Sequence, residues 1–268
     1  MQEYMKYSVG QLGVGSPIKL RMLPTEADVF EFMAKDMFGY LEESNRTGKQ
    51  VCMVVPVGPV GQYEQLVRLL NDSQVSCKNA VFINMDEYCD GAGNWVAKDD
   101  PVSFRGFMEK RFFGLLDENI RPKKENCLFP DPADPTAIAR KISEVGGVDV
   151  VFGGIGINGH VAFNEPIPEL SVEEYYQLPT RVLELSDVTK VMNGAFTARG
   201  NLEAMPPKCV TIGFREIFGA KRIALYCFRH WQSAAVRKAL HGEVSTACPA
   251  SLLQTHPNSE IIISELVA

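Results

Sequence analysis

Residues 148–154, Val148-Asp149-Val150-Val151-Phe152-Gly153-Gly154, set the architecture of the chain. From Val150 to Phe152 the run is apolar without polar alternation, so both its faces must be buried, and two glycines stop it. A strand buried on both faces belongs to a parallel sheet with helices on either side. Working outward, comparable runs recur at Val51 to Val57, Ala80 to Met85, Cys127 to Phe129, Cys209 to Phe214, Arg222 to Phe228 and Glu260 to Ser264. Helical patterns fall between them. Thr25 to about residue 45 reads as an amphipathic helix: Thr25 caps it, Glu26 and Asp28 suit its positive end, and Phe30, Met33 and Met37 share a face. Further helices are predicted around Gln65 to Leu70, from Ser103, from Asp134 to before Gly146, and from Gln232 to Leu240, closed by Gly242. This alternation, without repeats or linkers, predicts one three-layer α/β/α domain over residues 1–268 with a mainly parallel, Rossmann-like sheet.

Composition sets the function classes. A chain of 268 residues, 46% hydrophobic and 22% charged, can bury a large core. Its net charge of −6 argues against nucleic acid or an anionic membrane as partner, since both require a basic face. Seven cysteines without a CxxC pair read as core residues in a reducing, cytoplasmic setting. The N-terminus lacks a basic start followed by an apolar run, and no stretch of about 18 apolar residues occurs.

In open α/β sheets ligands sit beyond the carboxyl ends of the strands. Those ends are Pro56 to Gly61, Asp86 to Asp90, Gly153 to Pro166 and Phe228 to Trp231. Gly154, Gly156 and Gly159 have G-x-G-x-x-G spacing, yet Asn164-Glu165-Pro166 is a poor helix start and no acid ends a second strand about 20 residues later, so a dinucleotide fold is rejected. The glycines instead set Asn158 and His160 at the strand's mouth. Histidine, with an ordinary pKa of about 6.5, can carry a proton either way, and Glu165 is placed to orient it or share the transfer. Asp86 and Glu87 are adjacent, so only one can face the crevice, and Asp86 is assigned that role. A loop-bound histidine and a loop-capping carboxylate suit the same positions. A metal cluster of Asp86, Glu87, His160 and Glu165 lacks the i, i+4 histidine pair of a zinc helix, and no metal is expected. His241 is read as a helix-end cap, His256 as a helix terminus, and Phe104, Phe107, Phe112 and Phe113 as core. The polar stretch Ser186 to Met205 suits a lid over the substrate or an ordinary surface loop.

Asn84-Met85-Asp86-Glu87-Tyr88 and Gly153-Gly154-x-Gly156-x-x-Gly159-His160-x-Ala162-Phe163-Asn164-Glu165-Pro166 resemble the two signature segments of the glucosamine-6-phosphate deaminases. The strand–helix order agrees over nearly the whole chain, and Val244-Ser245-Thr246-Ala247-x-Pro249-Ala250-Ser251 looks more like the galactosamine-6-phosphate branch. The 6-phosphogluconolactonases share the fold and the glycine–histidine loop but lack the Asn-Glu-Pro ending. The resemblance implies an aldose–ketose isomerisation with loss of ammonia from an amino sugar phosphate. His160 would open the sugar ring, Asp86 would move the C2 proton to C1, and Glu165 would complete a relay with His160, beside Asn158. Gly58, Glu87, Gly154, Gly156, Gly159, Arg199 and Gln232 would bind substrate. No cofactor would be needed, and a homo-oligomer is implied.

The chain departs from that pattern in three places. Asn158 stands where the family has Asp, as it also does in the galactosamine-6-phosphate branch. Val57-Gly58-Pro59-Val60-Gly61 replaces a hydroxyl-bearing phosphate loop, and Pro59 removes an N–H donor. Gln232 and Ala195 align near a family lysine and a lid arginine. Such cations are worth roughly 1.5–3 kcal/mol each to an anion, and Arg199, Arg229, His230 and Lys208 are the available substitutes. The alternatives are therefore a lactonase-like hydrolase, an enzyme for a non-phosphorylated sugar, and a non-catalytic sugar sensor.

Overall fold

The structure, a computed structural model, describes residues 2–268. In chain order its strands and helices are β1 (Lys19–Leu23), α1 (Glu26–Thr47), β2 (Val51–Val55), α2 (Gln62–Ser73), β3 (Ala80–Asn84), β4 (Asp86–Cys89), α3 (Phe104–Arg111), β5 (Cys127–Leu128), α4 (Ala137–Glu144), β6 (Val150–Gly153), α5 (Val172–Tyr176), β7 (Arg181–Glu184), α6 (Asp187–Phe196), β8 (Lys208–Thr211), α7 (Phe214–Phe218), β9 (Ile223–Cys227), α8 (Ser233–His241) and β10 (Ser259–Ser264). Seven strands form an all-parallel sheet in the order β1-β10-β9-β6-β2-β3-β5. As the unbroken apolar runs predict, β2, β3 and β9 are buried at every position. Along β2, Val51, Met53 and Val55 join one core layer with α1, α2 and α3, while Cys52 and Val54 join the other with α4, α7 and α8. Successive side chains enter opposite layers because a strand repeats every two residues. Chain order reverses between β2 and β6, which opens a crevice at their carboxyl ends.

The expected elements are present, and β1, β4, α5, β7, α6 and α7 add to them. The edge strand β1 was not expected, because Lys19 and Arg21 break the apolar pattern and both face solvent. Asp86 to Asp90 is expected only as a strand end, and Cys209 to Phe214 as a run like those of the parallel sheet. Instead β4 and β8 pair antiparallel and β8 pairs with β7, making a second, three-stranded sheet with its own small core around Tyr88, Phe163 and Cys209. Local pattern cannot distinguish a short strand in a side sheet from one in the main sheet. The predicted cap of α1 is observed: Thr25 accepts from the Asp28 N–H, and the Asp28 side chain accepts from Thr25 N. Among the described residues all seven cysteines are free, six of them buried. No described helix is long and apolar enough to cross a membrane.

Candidate active site

The mouth of β6 is built by its glycines. Gly159 has φ +87°, and a Cβ there would lie 2.5 Å from the Cys248 Sγ. At Gly156 a Cβ would fall 2.1 Å from the His160 ring, so the imidazole lies where the side chain is missing. The Gly156 N–H donates to the His160 carbonyl and the Gly159 N–H to the Gly156 carbonyl, both at 2.9 Å. These two glycines therefore shape the loop and do not, as expected, offer their amides to substrate. Gly154 does face the crevice wall: a Cβ there would be 3.3 Å from the Tyr226 carbonyl oxygen and 3.9 Å from that of Gly58, so the β6 and β2 loops meet at these residues.

Three side chains are wired in series. The Asn158 Oδ1 receives the backbone N–H of His160 at 3.2 Å, which identifies that atom as the oxygen, and lies 2.8 Å from His160 Nδ1. The Asn158 amide nitrogen donates to Glu165 Oε2. An amide oxygen cannot donate, so Nδ1 carries a hydrogen, and in the neutral ring Nε2 keeps its lone pair. Glu165 itself stands 3.6 Å from His160 Nδ1, beyond hydrogen-bond reach. Of the two expected roles, orienting His160 or sharing its proton, the geometry fits the first: no direct hydrogen bond joins the pair, the Asn158 amide bonds to both, and Glu165 acts on His160 by charge and orientation. The other oxygen of Glu165, Oε1, accepts from Ser186 at 3.0 Å and from Thr189, both at the start of α6. Burial pushes the Glu165 carboxyl up, but the His160 imidazole and the Thr189 and Asn158 hydrogen bonds outweigh it and bring it down to about 2.

Asp86 opens β4, where it lies opposite Thr211 of β8. Thr211 receives the Phe163 N–H at 3.1 Å, which ties the Gly–His loop to β8, the strand paired with the one that carries Asp86. Asp86 is 7% exposed, and among the described residues no group donates to its carboxylate. Burial first, and the neighbouring Glu87 carboxylate second, hold its carboxyl well above the ordinary range. A base that must remove a weakly acidic C–H proton needs such a carboxylate.

Glu87 does not line the crevice. It is fully buried and accepts from Ser103 Oγ (2.9 Å), Phe104 N (2.9 Å), Arg105 N (2.8 Å) and Arg105 Nε (3.0 Å), which anchors the first turn of α3. Gln232 is likewise corrected: Oε1 receives the Phe228 and Arg229 N–H groups at 2.9 Å, and Nε2 donates to the Ile155 carbonyl at 2.8 Å, so the backbone engages both its polar atoms. Arg199 is exposed just beyond α6, with φ 54°, and among the described residues no contact ties it to Asp86, His160 or Glu165. Gly58 is exposed at the crevice and joined to Pro59 by a cis peptide. His241 is not a C-cap: its Nε2 accepts from the Gly13 N–H at 3.0 Å and its ring stacks on Tyr7, fastening the N-terminal segment.

Sequence reasoning passed over Ser186 and Thr189, although Ser-Asp-x-Thr is a legible helix start. The stretch weighed as lid or loop is mostly helix α6, and it meets the site at three points. Besides the hydroxyls on Glu165, Asn193 donates to the Tyr88 hydroxyl at 2.9 Å, and Phe196 stacks on Trp231 with ring centres 6.3 Å apart. The Arg229 guanidinium lies 5.3 Å from the Phe196 ring and 5.0 Å from that of Phe228.

No protein-family model matches the chain. It is 32% identical over 217 residues to a glucosamine-6-phosphate deaminase of Aeromonas hydrophila, covering 79% of this chain and 76% of that protein. It is 31% identical over 254 residues to the enzyme of that name from Borrelia garinii subsp. bavariensis, covering 92% and 90%. Among solved structures, a monomeric glucosamine-6-phosphate deaminase superposes with a TM-score of 0.79 at 28% identity, over 93% of this chain and 98% of that one. A 6-phosphogluconolactonase from Thermotoga maritima superposes with a TM-score of 0.66 at 14% identity, over 92% and 100%, a likeness of fold alone.

Proposed function

Because the chain belongs to the glucosamine-6-phosphate deaminase family, we propose that it converts a 2-amino aldose 6-phosphate and water into the ketose 6-phosphate and ammonia. The observation that carries this reading is Asp86, a buried carboxylate with raised proton affinity and no donor among the described residues, at the sheet end that also presents His160. The His160 Nε2 takes the anomeric hydroxyl proton and returns it to the ring oxygen, opening the sugar. The aldehyde formed acidifies the C2 proton, which Asp86 removes and delivers to C1. The resulting C2 imine takes up water and releases ammonia. Asn158 and Glu165 hold the imidazole in the tautomer this needs. Residues of one chain supply all these groups, and no metal or organic cofactor enters the scheme.

For the phosphate we assign Arg229. Val57 to Val60 carry no hydroxyl, Pro59 has no N–H, and both polar atoms of the Gln232 side chain are engaged. Arg229 follows β9 at the crevice and lies on Phe228, whose ring centre is 4.7 Å from that of Phe30, the residue that fills the space a side chain would need at Gly61. Its one ion pair among the described residues, to Glu26, is 3.8 Å long. A guanidinium at the strand-end crevice with one long ion pair suits an anion. Seven free cysteines fit a cytoplasmic location.

The test is ammonia release from glucosamine-6-phosphate, galactosamine-6-phosphate and the two free amino sugars, by wild type and Asp86→Asn. Release from a phosphorylated sugar that vanishes in the variant supports the reading. Release from free sugars alone makes the hydroxyl-free Val57–Val60 loop a change of substrate. No release from any of them ends the deaminase assignment.

A further inference from the structure

We propose that Thr189 is a positioning residue through which helix α6 sets the tautomer of His160. The inference rests on the deaminase reading for its catalytic consequence, but the wiring stands apart from it. Thr189 is 1% exposed, and its hydroxyl donates to Glu165 Oε1. With Oε1 also receiving Ser186, the carboxylate is fixed so that Oε2 faces the Asn158 amide nitrogen. A carboxylate accepts only, so it holds the NH2 end of that amide toward itself and the oxygen toward His160 Nδ1. Four side chains thus pass one orientation along: hydroxyl to carboxylate, carboxylate to amide, amide to imidazole. The charged group facing the imidazole along this path is Glu165, at 3.6 Å.

The source of that orientation is a helix with one face in solvent and Thr189 and Gly194 buried on the other. Val188 and Val191 face solvent at 49% and 51% exposure, while α6 meets the body through its hydroxyl contacts to Glu165, Asn193 on Tyr88, Phe196 on Trp231 and the packing of Gly194 against Leu202 and Met205. When α6 lifts, Glu165 Oε1 loses both donors, the carboxylate's hold on the Asn158 amide loosens, and the His160 backbone N–H is left as the contact that keeps the amide oxygen turned toward the ring. The neutral imidazole then samples the form protonated at Nε2, whose basic lone pair is on Nδ1 instead of the atom that opens the sugar. Docking of the helix thereby switches on the base it covers.

The experiment uses the full chain as wild type, Thr189→Val and Thr189→Ser. Valine keeps the shape and deletes the hydroxyl; serine restores the hydroxyl. With glucosamine-6-phosphate, kcat is expected to fall about tenfold or more in Thr189→Val, the worth of a hydrogen bond to a charged group, and to stay within about twofold of wild type in Thr189→Ser. Nitrogen-15 spectra of the His160 ring, assigned by its loss in His160→Gln, should show a single Nδ1–H tautomer in wild type and serine variant and a tautomer mixture in the valine variant. The proposal is overturned if Thr189→Val keeps both the wild-type kcat and the single tautomer, or if serine fails as valine does. If wild type releases no ammonia, the deaminase reading falls, and the ring spectra alone still decide whether Thr189 sets the tautomer.

Discussion

His160 Nδ1 and Glu165 Oε2 stand 3.6 Å apart, and the Asn158 amide beside them bonds to both, its oxygen 2.8 Å from the imidazole and its nitrogen donating to the carboxylate. A carboxylate at position 158 would bring a second negative charge against both neighbours. In Asn158→Asp the imidazolium gains a partner, so the acid limb of the kcat profile is expected to move to higher pH. The same change sets the introduced carboxylate against Glu165 and should lower the melting temperature at neutral pH. A kcat profile unaltered in position would show that the amide does not transmit charge to His160.

Asp86 combines catalytic use with a cost to the fold. Its carboxyl is raised above the unfolded value, so the unfolded chain gives up this proton more readily than the folded one. Stability from this group is therefore full below the unfolded value and falls as pH rises through the folded value. Asp86→Asn should abolish ammonia release by about a thousandfold or more, as expected for loss of a general base, while raising the melting temperature at pH 7 to 8. A variant less stable than wild type at that pH would show that the carboxylate has a structural partner.

Glu165 has the opposite sign. Held down to about 2 by its donors, it contributes stability that is present above the ordinary carboxylate value of about 4.3 and is lost as pH falls from there toward 2. Wild type should lose melting temperature over that window faster than Glu165→Gln, measured by calorimetry at pH 5 and pH 3. Parallel losses in the two proteins would remove Glu165 from the account.

Arg229→Met keeps the apolar stem between Phe196 and Phe228 and removes the charge. The KM for a phosphorylated amino sugar should rise about 10- to 150-fold, the worth of one charge-assisted hydrogen bond, with little change for a free amino sugar. Equal effects on both substrates would place Arg229 away from the phosphate.

Glu87, corrected from ligand contact to helix anchor, should behave as a buried, paired charge. Glu87→Gln leaves Arg105 without its carboxylate and is expected to cost about 3–5 kcal/mol in denaturant unfolding, with KM for the sugar unchanged where the variant remains folded. A large KM change at full stability would return Glu87 to the binding surface.

Much of this molecule was legible in the chain. Unbroken apolar runs such as Val150 to Phe152 imply burial on both faces, and burial on both faces implies the layered parallel sheet and a crevice at its carboxyl ends. Asp86, Asn158, His160 and Glu165 were legible for the same reason: each follows a strand, and the glycines around His160 mark where backbone and ring must share space. The strands that Lys19 and Arg21 interrupt, or that begin at Asp86, were not legible, because pairing partners distant in sequence decide them. Which neighbouring carboxylate serves chemistry and which anchors a helix was likewise settled by tertiary contacts. Adjacent residues on a strand point to opposite faces, so Glu87 meets the first turn of α3 while Asp86 is left without a donor. Local pattern was enough for the layers, the strand ends and the reactive residue types. Long-range packing bonded Asn158 to both His160 and Glu165, withdrew Gln232 into the backbone and brought Thr189 onto Glu165, since each depends on hydrogen bonds between segments whose separation no local pattern encodes.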